Sequence, residues 1–355
     1  MTLARLEITN FRCLARAELE IDPRLTVIAG PNASGKTSLL EAIFFLSCGR
    51  SFRTHNVAPL VRTGESDAYV LGRVDLDGRR VLLAVRGGRT GLETRISGEP
   101  VRGFAEHARL LPVQTIDPEI HKVLEEGPAR RRRYLDWGVF HVEHHYVGVW
   151  RRYQRALKQR NAALKQGAAR PAMQVWEHEL IEAAQALVAS RQRYLETLNP
   201  IAKSLVSDLL GLELELGHRP GWPQERTFAE ALDEARLRDA QSGTTSVGPH
   251  RGDVSVRIGG FAAKDRVSRG QQKLLAAALV LAQVEHRAQF GGERPTLLID
   301  DPAAELDAAH LGTFLRRVAA SPAQLIVTAL DATAVGALEP ARMFHVEQGK
   351  LQQVV

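Results

Sequence analysis

The sequence predicts an α/β protein with mixed and antiparallel sheets, interrupted by an inserted all-α arm. Three observations predict it. A continuous apolar run, Leu25–Ala29, leads into a glycine-rich loop and then a helical pattern. Leu180, Leu187, Tyr194 and Ile201 recur at heptad spacing in mid-chain. Short apolar runs return near the C-terminus, at Thr296–Ile299 and Gln324–Thr328, as buried strands would.

Taken in order, Leu3, Leu6 and Ile8, then Ala17, Leu19 and Ile21, fall largely on alternate positions and predict two strands ahead of Leu25–Ala29. Gly30 opens a loop, and Thr37–Leu46 reads as a helix. Strand periodicity resumes from Ala68 to Ile96, as in an antiparallel sheet. From about Val142 the period becomes helical. Tyr146, Trp150, Tyr153, Leu157 and Leu164 form one seam, which reads as core packing rather than base stacking. Gly167 to Pro171 interrupts it, and the heptad run, with Ala184 and Leu198 between its members, makes the return helix of an αα-hairpin. Gly217–Pro223 reads as a break and Phe228–Leu237 as a short helix. Helices over Gly270–Arg287 and Ala308–Ala319 complete the chain. The expected division is 1–140, a helical arm over 141–240, and 241–355.

With 355 residues and 44% hydrophobic content, the chain can bury a large core and build one or two domains. Its longest apolar run, near Leu274–Val284, is too short for a bilayer and reads as a buried helix, so no membrane partner is expected. The opening residues do not form a signal-peptide pattern. Cys13 and Cys48 lie far apart, with neither a disulfide framework nor a metal-type spacing, which fits a reducing cytoplasm. The formal charge of +6 is compatible with nucleic acid and does not establish it.

Residues 30–37 read Gly-Pro-Asn-Ala-Ser-Gly-Lys-Thr, a full phosphate-loop pattern in its required place between strand and helix. Gly30 and Gly35 let the backbone curl so that N–H groups converge on phosphate oxygens, and the helix N-terminus adds its positive end. Lys36 brings a full charge to the terminal phosphates, and the Thr37 hydroxyl suits a Mg²⁺ ligand. Thr296–Asp301 is an apolar strand ending in two carboxylates. Strand ends of this kind carry ligands in α/β sheets, so Asp300 is expected to hold Mg²⁺ and Asp301 to orient or polarise an attacking water. In Val267–Lys273, Ser268 suits a helix N-cap and Gly270 leaves room for close approach, which makes a second anion site. That site has no obvious use within a subunit that already has its own phosphate loop.

The phosphate loop, then Ser-Arg-Gly-Gln-Gln, then Leu-Leu-Ile-Asp-Asp, then Ala304-Glu305-Leu306-Asp307, resemble in that order an ABC-type ATPase head. Ile8–Arg12 ahead of the loop and Leu39–Ile43 behind it narrow the likeness to chromosome-maintenance and repair ATPases. Gly49–Thr54, Gly127-Pro128 with Arg130–Arg133 and Tyr134-Leu135-Asp136, and Gly248–Arg251 narrow it to the RecF family of bacterial recombinational repair proteins. The resemblance implies that Gly30, Asn32, Ala33, Ser34, Gly35, Lys36, Thr37 and Ser38 cradle ATP, with Arg12 near the phosphates. It implies that Thr37, Asp300 and Gln114 serve Mg²⁺, and that Asp301, Lys36 and Gln114 act in hydrolysis. Ser268, Gly270 and Gln271 would reach the ATP of a second copy, with Asp307 at the seam of that homodimer. It further implies DNA binding at gaps, RecO- and RecR-type partners, help in loading a recombinase, and a place in the SOS response at the nucleoid.

Two departures from the broad ABC pattern remove reach toward the γ-phosphate and predict slow hydrolysis. Asp301 stands where a glutamate is usual, and Ala329 where a histidine is usual. Arg151, Arg155 and Lys158 share one helix face and predict a phosphate-binding stripe without base reading, extended by Arg152, Arg160 and Lys165. A solvated face, or arginines tied to nearby acids, is the alternative for the stripe and for Arg130–Arg133. A transporter subunit would share the loop and signature but lack the heptad insert. A structural chromosome-maintenance protein would need a far longer coiled coil. His141–His145 lacks the partners of a metal site, and His178-Glu179 lacks the second histidine of a zinc-protease helix.

Overall fold

The computed structural model describes all of residues 1–355 except 55, 77, 90, 168, 169, 293, 305, 307, 337 and 355, and the side chains of 170–172, 308 and 309. The chain forms two compact units, Met1–Ile120 with Lys273–Val355, and His121–Gln272.

The first unit begins with strands β1 (Thr2–Phe11), β2 (Leu14–Glu20) and β3 (Leu25–Ala29), then helix α1 (Lys36–Cys48). Strands β4 (Asp67–Leu76), β5 (Arg79–Gly88), β6 (Gly91–Ile96) and β7 (Glu99–Pro100) follow, then α2 (Ala105–Leu110) and β8 (Val113–Ile116). The second unit carries α3 (Lys122–Glu125), α4 (Pro128–Val142), α5 (Tyr146–Lys165), α6 (Arg170–Leu210), β9 (Leu214–Arg219), α7 (Phe228–Glu234), α8 (Arg236–Ser242), β10 (Asp253–Ile258) and β11 (Phe261–Ala262). The chain then runs through α9 (Arg269–Phe290), β12 (Thr296–Ile299), α10 (Ala308–Ala319), β13 (Gln324–Ala329), β14 (Arg342–Glu347) and β15 (Lys350–Gln353).

Two six-stranded sheets build the first unit. One, ordered β2-β1-β4-β5-β6-β7, is antiparallel throughout. The other is ordered β15-β14-β3-β13-β12-β8 and is parallel except for the edge pair β14–β15. Leu39, Leu40, Ala42, Ile43, Phe45 and Leu46 of α1 share one core with Leu3 and Leu6 of the first sheet and Ile28 and Ile326 of the second. A helix apolar on most sides must be covered on most sides, which explains why α1 is gripped by both sheets. Each such large side chain contributes roughly 1.5–3 kcal/mol by leaving water. Gln324 is wholly buried, yet its amide is fully used. Its Oε1 accepts from the Leu3 N–H at 2.9 Å, and its Nε2 donates to the carbonyls of Leu3 at 2.8 Å and Asp22 at 2.9 Å.

In the second unit α5 and α6 pack as the expected hairpin, with Leu180, Ala184, Leu187, Tyr194 and Leu198 all buried. Gly138 on α4 has to be glycine, because a Cβ there would lie 2.0 Å from the Tyr194 hydroxyl. The Gly248–Arg251 loop is a clasp for the three long helices. Pro249 carbonyl accepts from Arg191 of α6 at 3.0 Å, and Arg191 also holds Asp136 of α4. His250 Nδ1 accepts from the Tyr153 hydroxyl of α5 at 2.5 Å.

Several expectations shift. Helicity begins with α3 at Lys122 and continues in α4 from Pro128, ahead of Val142, and α6 runs on to Leu210. The arm also carries a small sheet, β11-β10-β9, so Gly217–Arg219 are strand and the break is confined to the following residues. β9 has only Leu214 and Leu216 as buried alternating positions, too few to announce a strand. Of the aromatic seam, Tyr146 and Tyr153 are buried but Trp150 is 41% exposed. Arg160 is not part of a surface stripe. It is wholly buried, where Glu177 accepts from Nε and Asp239 and Thr245 accept from Nη1, while Nη2 has no hydrogen-bond partner. Arg152 is tied to Glu179 and Glu182, which removes its charge from the stripe. The Arg130–Arg133 run also packs partly within its unit, with Arg130 on Glu126, Arg131 on Asp253 and Arg132 on the Gly252 carbonyl.

Candidate nucleotide site

Strands β3, β13, β12 and β8 run parallel in adjacent register, so their carboxyl ends lie along one edge of the sheet. The residues that follow β3 and β12, the phosphate loop and Asp300-Asp301, therefore meet there. Thr37 lies in the first turn of α1 and its hydroxyl is 3.0 and 2.9 Å from the two carboxylate oxygens of Asp300. Two residues far apart in sequence but chosen for one cation are thus neighbours.

The loop itself is tightly built. A Cβ on Gly30 would sit 2.2 Å from the Val346 carbonyl, and Gly35 adopts φ +115° against Cys13 and Leu14. The Lys36 ammonium is drawn inside the loop, donating to the carbonyls of Gly30 at 2.6 Å and Pro31 at 2.9 Å. The loop tip, Pro31, Asn32 and Ala33, is exposed, and Ala33 takes a left-handed φ of 62°. Ser34 is buried and its hydroxyl has no hydrogen-bond partner. Buried hydroxyls are ordinarily paired, so the cradle has an unmet polar atom beside its N–H groups. Ser38 is buried behind it, 3.7 Å from the Cys13 sulfur.

Thr328, which the sequence reading did not single out, holds the acidic pair together. Its hydroxyl donates to Asp300 at 2.7 Å and accepts the Asp301 N–H at 3.0 Å. A threonine in the otherwise apolar run of β13, one strand over from the aspartates, is the available sequence signal. Asp301 is half-buried in a left-handed φ of 43°, a region that aspartate tolerates better than most residues. Burial foremost, with the Asp300 charge, pushes its carboxyl above the usual aspartate range, against the pull of Lys36. Ala329 proves to be the last residue of β13, fully buried, and the first residue past the strand is the exposed Leu330. Neither carries an imidazole.

The remaining expected residues divide. Gln114 lies in the middle of β8, where its Nε2 donates to the side-chain Oε1 of Gln283 on α9 at 2.5 Å. Arg12 is held through Nε and Nη2 by the wholly buried Glu41 of α1, at 2.8 and 2.6 Å. Ser51 donates to the same carboxylate, while its hydroxyl accepts the N–H groups of Arg53 and Thr54. This network accounts for both the glutamate after the loop and the Gly49–Thr54 segment. Gly49 caps α1 with φ 65°, with a would-be Cβ 2.0 Å from the Phe104 ring.

The residues expected to form a second anion site lie in the second unit. Ser268 caps α9 in a reciprocal box: its hydroxyl accepts the Gln271 N–H at 3.3 Å, and the Gln271 side chain accepts the Ser268 N–H at 2.9 Å. Ser268 and Gly270 are exposed, and nothing lies within 4 Å of where a Gly270 Cβ would be. An exposed helix N-terminus with open space before it can accept an anion delivered from outside. Glu305 and Asp307 lie outside the described residues. Arg151, Arg155 and Lys158 are all exposed on α5.

Among the described residues no three His, Cys, Asp or Glu side chains gather into a metal-binding group, and no helix is long and apolar enough to cross a membrane. A Mg²⁺ ion bound with a nucleotide needs no such group. One carboxylate and one hydroxyl suffice when phosphates and waters complete the octahedron, and Asp300 with Thr37 would be such a pair.

Residues 2–352 match the family model for the RecF/RecN/SMC N terminal domain. The chain is 38% identical over 358 residues to the DNA replication and repair protein RecF of Shewanella baltica (strain OS155), covering 99% of each. It is 41% identical over 367 residues to that of Stenotrophomonas maltophilia (strain R551-3), covering 100% of each. Among solved structures, the recombination mediator protein RecF-ATP of the RecFOR pathway superposes with a TM-score of 0.89 at 26% identity, over 100% of this chain and 98% of that one. An SMC head bound to the C-terminal winged-helix domain of ScpA shares the fold at a TM-score of 0.62 and 16% identity, over 100% and 98%. Full-length identity, the strand order, and the Thr37–Asp300 apposition agree: the chain belongs to the RecF family of DNA replication and repair proteins, built on the ABC-like head that RecF shares with SMC proteins.

Proposed function

We propose that this protein is an ATP-dependent DNA clamp of recombinational repair, whose nucleotide pocket is completed by a second copy of the chain. The apposition of Thr37 and Asp300, 2.9 Å apart at the head of α1, carries the reading. ATP enters the phosphate loop, where Lys36 turns from the Gly30 and Pro31 carbonyls to the terminal phosphates, and Ser34 gains the partner it lacks. Asp300 and Thr37 hold Mg²⁺, which neutralises charge building on the phosphates. Asp301, tuned upward by burial, accepts the proton of the attacking water. Gln114, released from Gln283, reaches the same region.

Ser268, Gly270 and Gln271 close over the ATP of the partner copy, so the two copies hold two nucleotides between them. The segment 141–240 acts as the arm that meets DNA, and 1–140 with 241–355 act as the head. Phosphates follow Arg151, Arg155 and Lys158, which give affinity without base reading. Hydrolysis parts the copies and releases DNA. The similar solved RecF is a recombination mediator of the RecFOR pathway, which supports RecO- and RecR-type partners and recombinase loading at gaps. Asp301 is one methylene short of a glutamate and no imidazole follows β13, so turnover stays below about 10 s⁻¹, the median for enzymes.

The test is light scattering of the full chain with saturating Mg-ATP and gapped DNA. Ser268→Arg keeps ATP binding and stays monomeric, whereas Lys36→Ala loses nucleotide binding itself. A Ser268→Arg protein that dimerises with ATP as the parent does refutes the shared pocket.

A further inference from the structure

The parallel sheet gives the phosphate loop two sides. In the order β15-β14-β3-β13-β12-β8, the loop follows β3, and the acidic pair follows β12, two strands away past β13. Neighbouring strands stand about 5 Å apart, so the terminal phosphates and Mg²⁺ belong on the β13 side of the loop. The β14 side is open to the nucleoside.

The hairpin of β14 and β15 stands on that side, with His345 of β14 in register with Ala29 of β3. Gln348 and Gly349 make its two-residue turn, with φ of 48° and 76°, the positive pair of a type I′ turn. The turn is built onto the phosphate loop. The Gly349 N–H donates to the Ser34 carbonyl at 2.9 Å. A Cβ on Gly349 would lie 2.9 Å from the Cys13 carbonyl, so glycine is required there by close approach as well as by φ. Cys13 itself is exposed, and its sulfur lies 3.7 Å from the Ser38 hydroxyl. The β1–β2 turn, the loop and the β14–β15 turn thus meet in one place.

The chemistry of that place suits a base rather than a phosphate. Glu347 and Lys350 oppose each other across the hairpin, so their charges answer one another. Cys13 adds a soft, polarisable surface. Gln348 is exposed, and among the described residues its amide has no hydrogen-bond partner. A side-chain amide offers one acceptor and one donor side by side. Adenine matches it with its N6 amino group and N7, whereas guanine presents two acceptors, O6 and N7, and turns the amide oxygen away.

We infer that the β14–β15 turn is the base-reading part of the nucleotide site, with the Gln348 amide on the adenine edge and Cys13 packed against the nucleoside. This rests on the nucleotide binding proposed above. It adds a choice of adenine over guanine, which a loop that holds only phosphates cannot make.

Isothermal titration calorimetry of the full chain with Mg²⁺ tests it, using ATP, GTP and inorganic tripolyphosphate as ligands. The parent protein prefers ATP to GTP by about 5- to 150-fold, the worth of one bidentate amide–adenine pair. Gln348→Met keeps the length of the side chain but not the amide. It loses the preference and binds tripolyphosphate as the parent does. Gln348→Arg, whose guanidinium pairs with guanine, moves the preference toward GTP. The inference is overturned if Gln348→Met keeps the parental ratio of ATP to GTP affinity. It is equally overturned if that variant loses tripolyphosphate affinity by the same factor, which makes Gln348 a support of the loop and no reader of the base. A parent protein that binds ATP and GTP alike removes this inference alone. One that binds neither ATP nor tripolyphosphate removes the nucleotide site with it.

Discussion

Replacing Thr328 by valine removes one hydroxyl and breaks two hydrogen bonds at the acidic pair, with little change of shape. The hydroxyl donates to Asp300 at 2.7 Å and accepts the Asp301 N–H at 3.0 Å, and the residue is 0% exposed. Leaving a buried N–H unpaired costs about 1–3 kcal/mol. A compact unit of 150–250 residues loses about 2–4 °C per kcal/mol, so the thermal midpoint falls by about 2–12 °C. The catalytic consequence is separate from the structural one. Partners that orient a metal-binding carboxylate are worth about 10- to 100-fold in metal affinity or activity, so ATP turnover falls by that factor and rises again as Mg²⁺ is raised. Thr328→Ser keeps the hydroxyl and recovers both properties. Differential scanning calorimetry without nucleotide and a coupled ATPase assay over a Mg²⁺ series measure the two effects. A valine variant with parental midpoint and parental Mg²⁺ dependence refutes the role given to this hydroxyl.

Asp301→Asn binds ATP but turns over at least about 100-fold more slowly, and the acid limb of the pH–rate profile, set by a carboxyl above the usual aspartate range, disappears with it. The same variant shows the linkage sign: the folded state holds the Asp301 proton more tightly than the unfolded one, so stability falls as pH rises through the raised value. The asparagine protein is therefore the more stable at neutral pH, and melting curves show the difference closing toward acid. Asp301→Glu restores the missing methylene and raises single-turnover hydrolysis, at a small cost in midpoint because glutamate fits a φ of 43° less well than aspartate. Arg160→Ala strands Glu177 and Asp239 in the second unit, costs about 3–5 kcal/mol and lowers its midpoint by about 6–20 °C. Unchanged melting with weakened DNA binding would return Arg160 to the surface stripe.

What could be read from the sequence follows from how local each signal is. The phosphate loop, β3, β12 and α10 were legible to the residue, because glycine, lysine and unbroken apolar runs act within a few positions of themselves. The Ser268 cap was legible for the same reason, since its partner Gln271 is three residues away. Arg160 and Arg152 were not. Helical spacing places them beside Arg151, Arg155 and Lys158, but charge on a helix is decided by what packs against it. Asp239, 79 residues from Arg160, is what brings that guanidinium inside. Trp150 shows the opposite error: the seam containing Tyr146 and Tyr153 is core, yet its middle member stands at the rim, because α4 and the Gly248–Arg251 loop leave a gap opposite it.

Thr328 and Glu41 mark where such reading ends for a different reason. Each is locally ordinary, a threonine in a strand and a glutamate in a helix. Each acquires its function only from partners supplied by other strands and loops: Asp300 and Asp301 for the threonine, Arg12 and Ser51 for the glutamate. Residues of this kind touch no phosphate, so the phosphate-loop pattern does not contain them. They fix the residues that do, and a wholly buried carboxylate is tolerated only because Arg12 and Ser51 satisfy it. It follows that Arg12 cannot leave for a nucleotide without a replacement at Glu41. Arg53, 3.9 Å from the same carboxylate and half exposed, is the side chain placed to provide one.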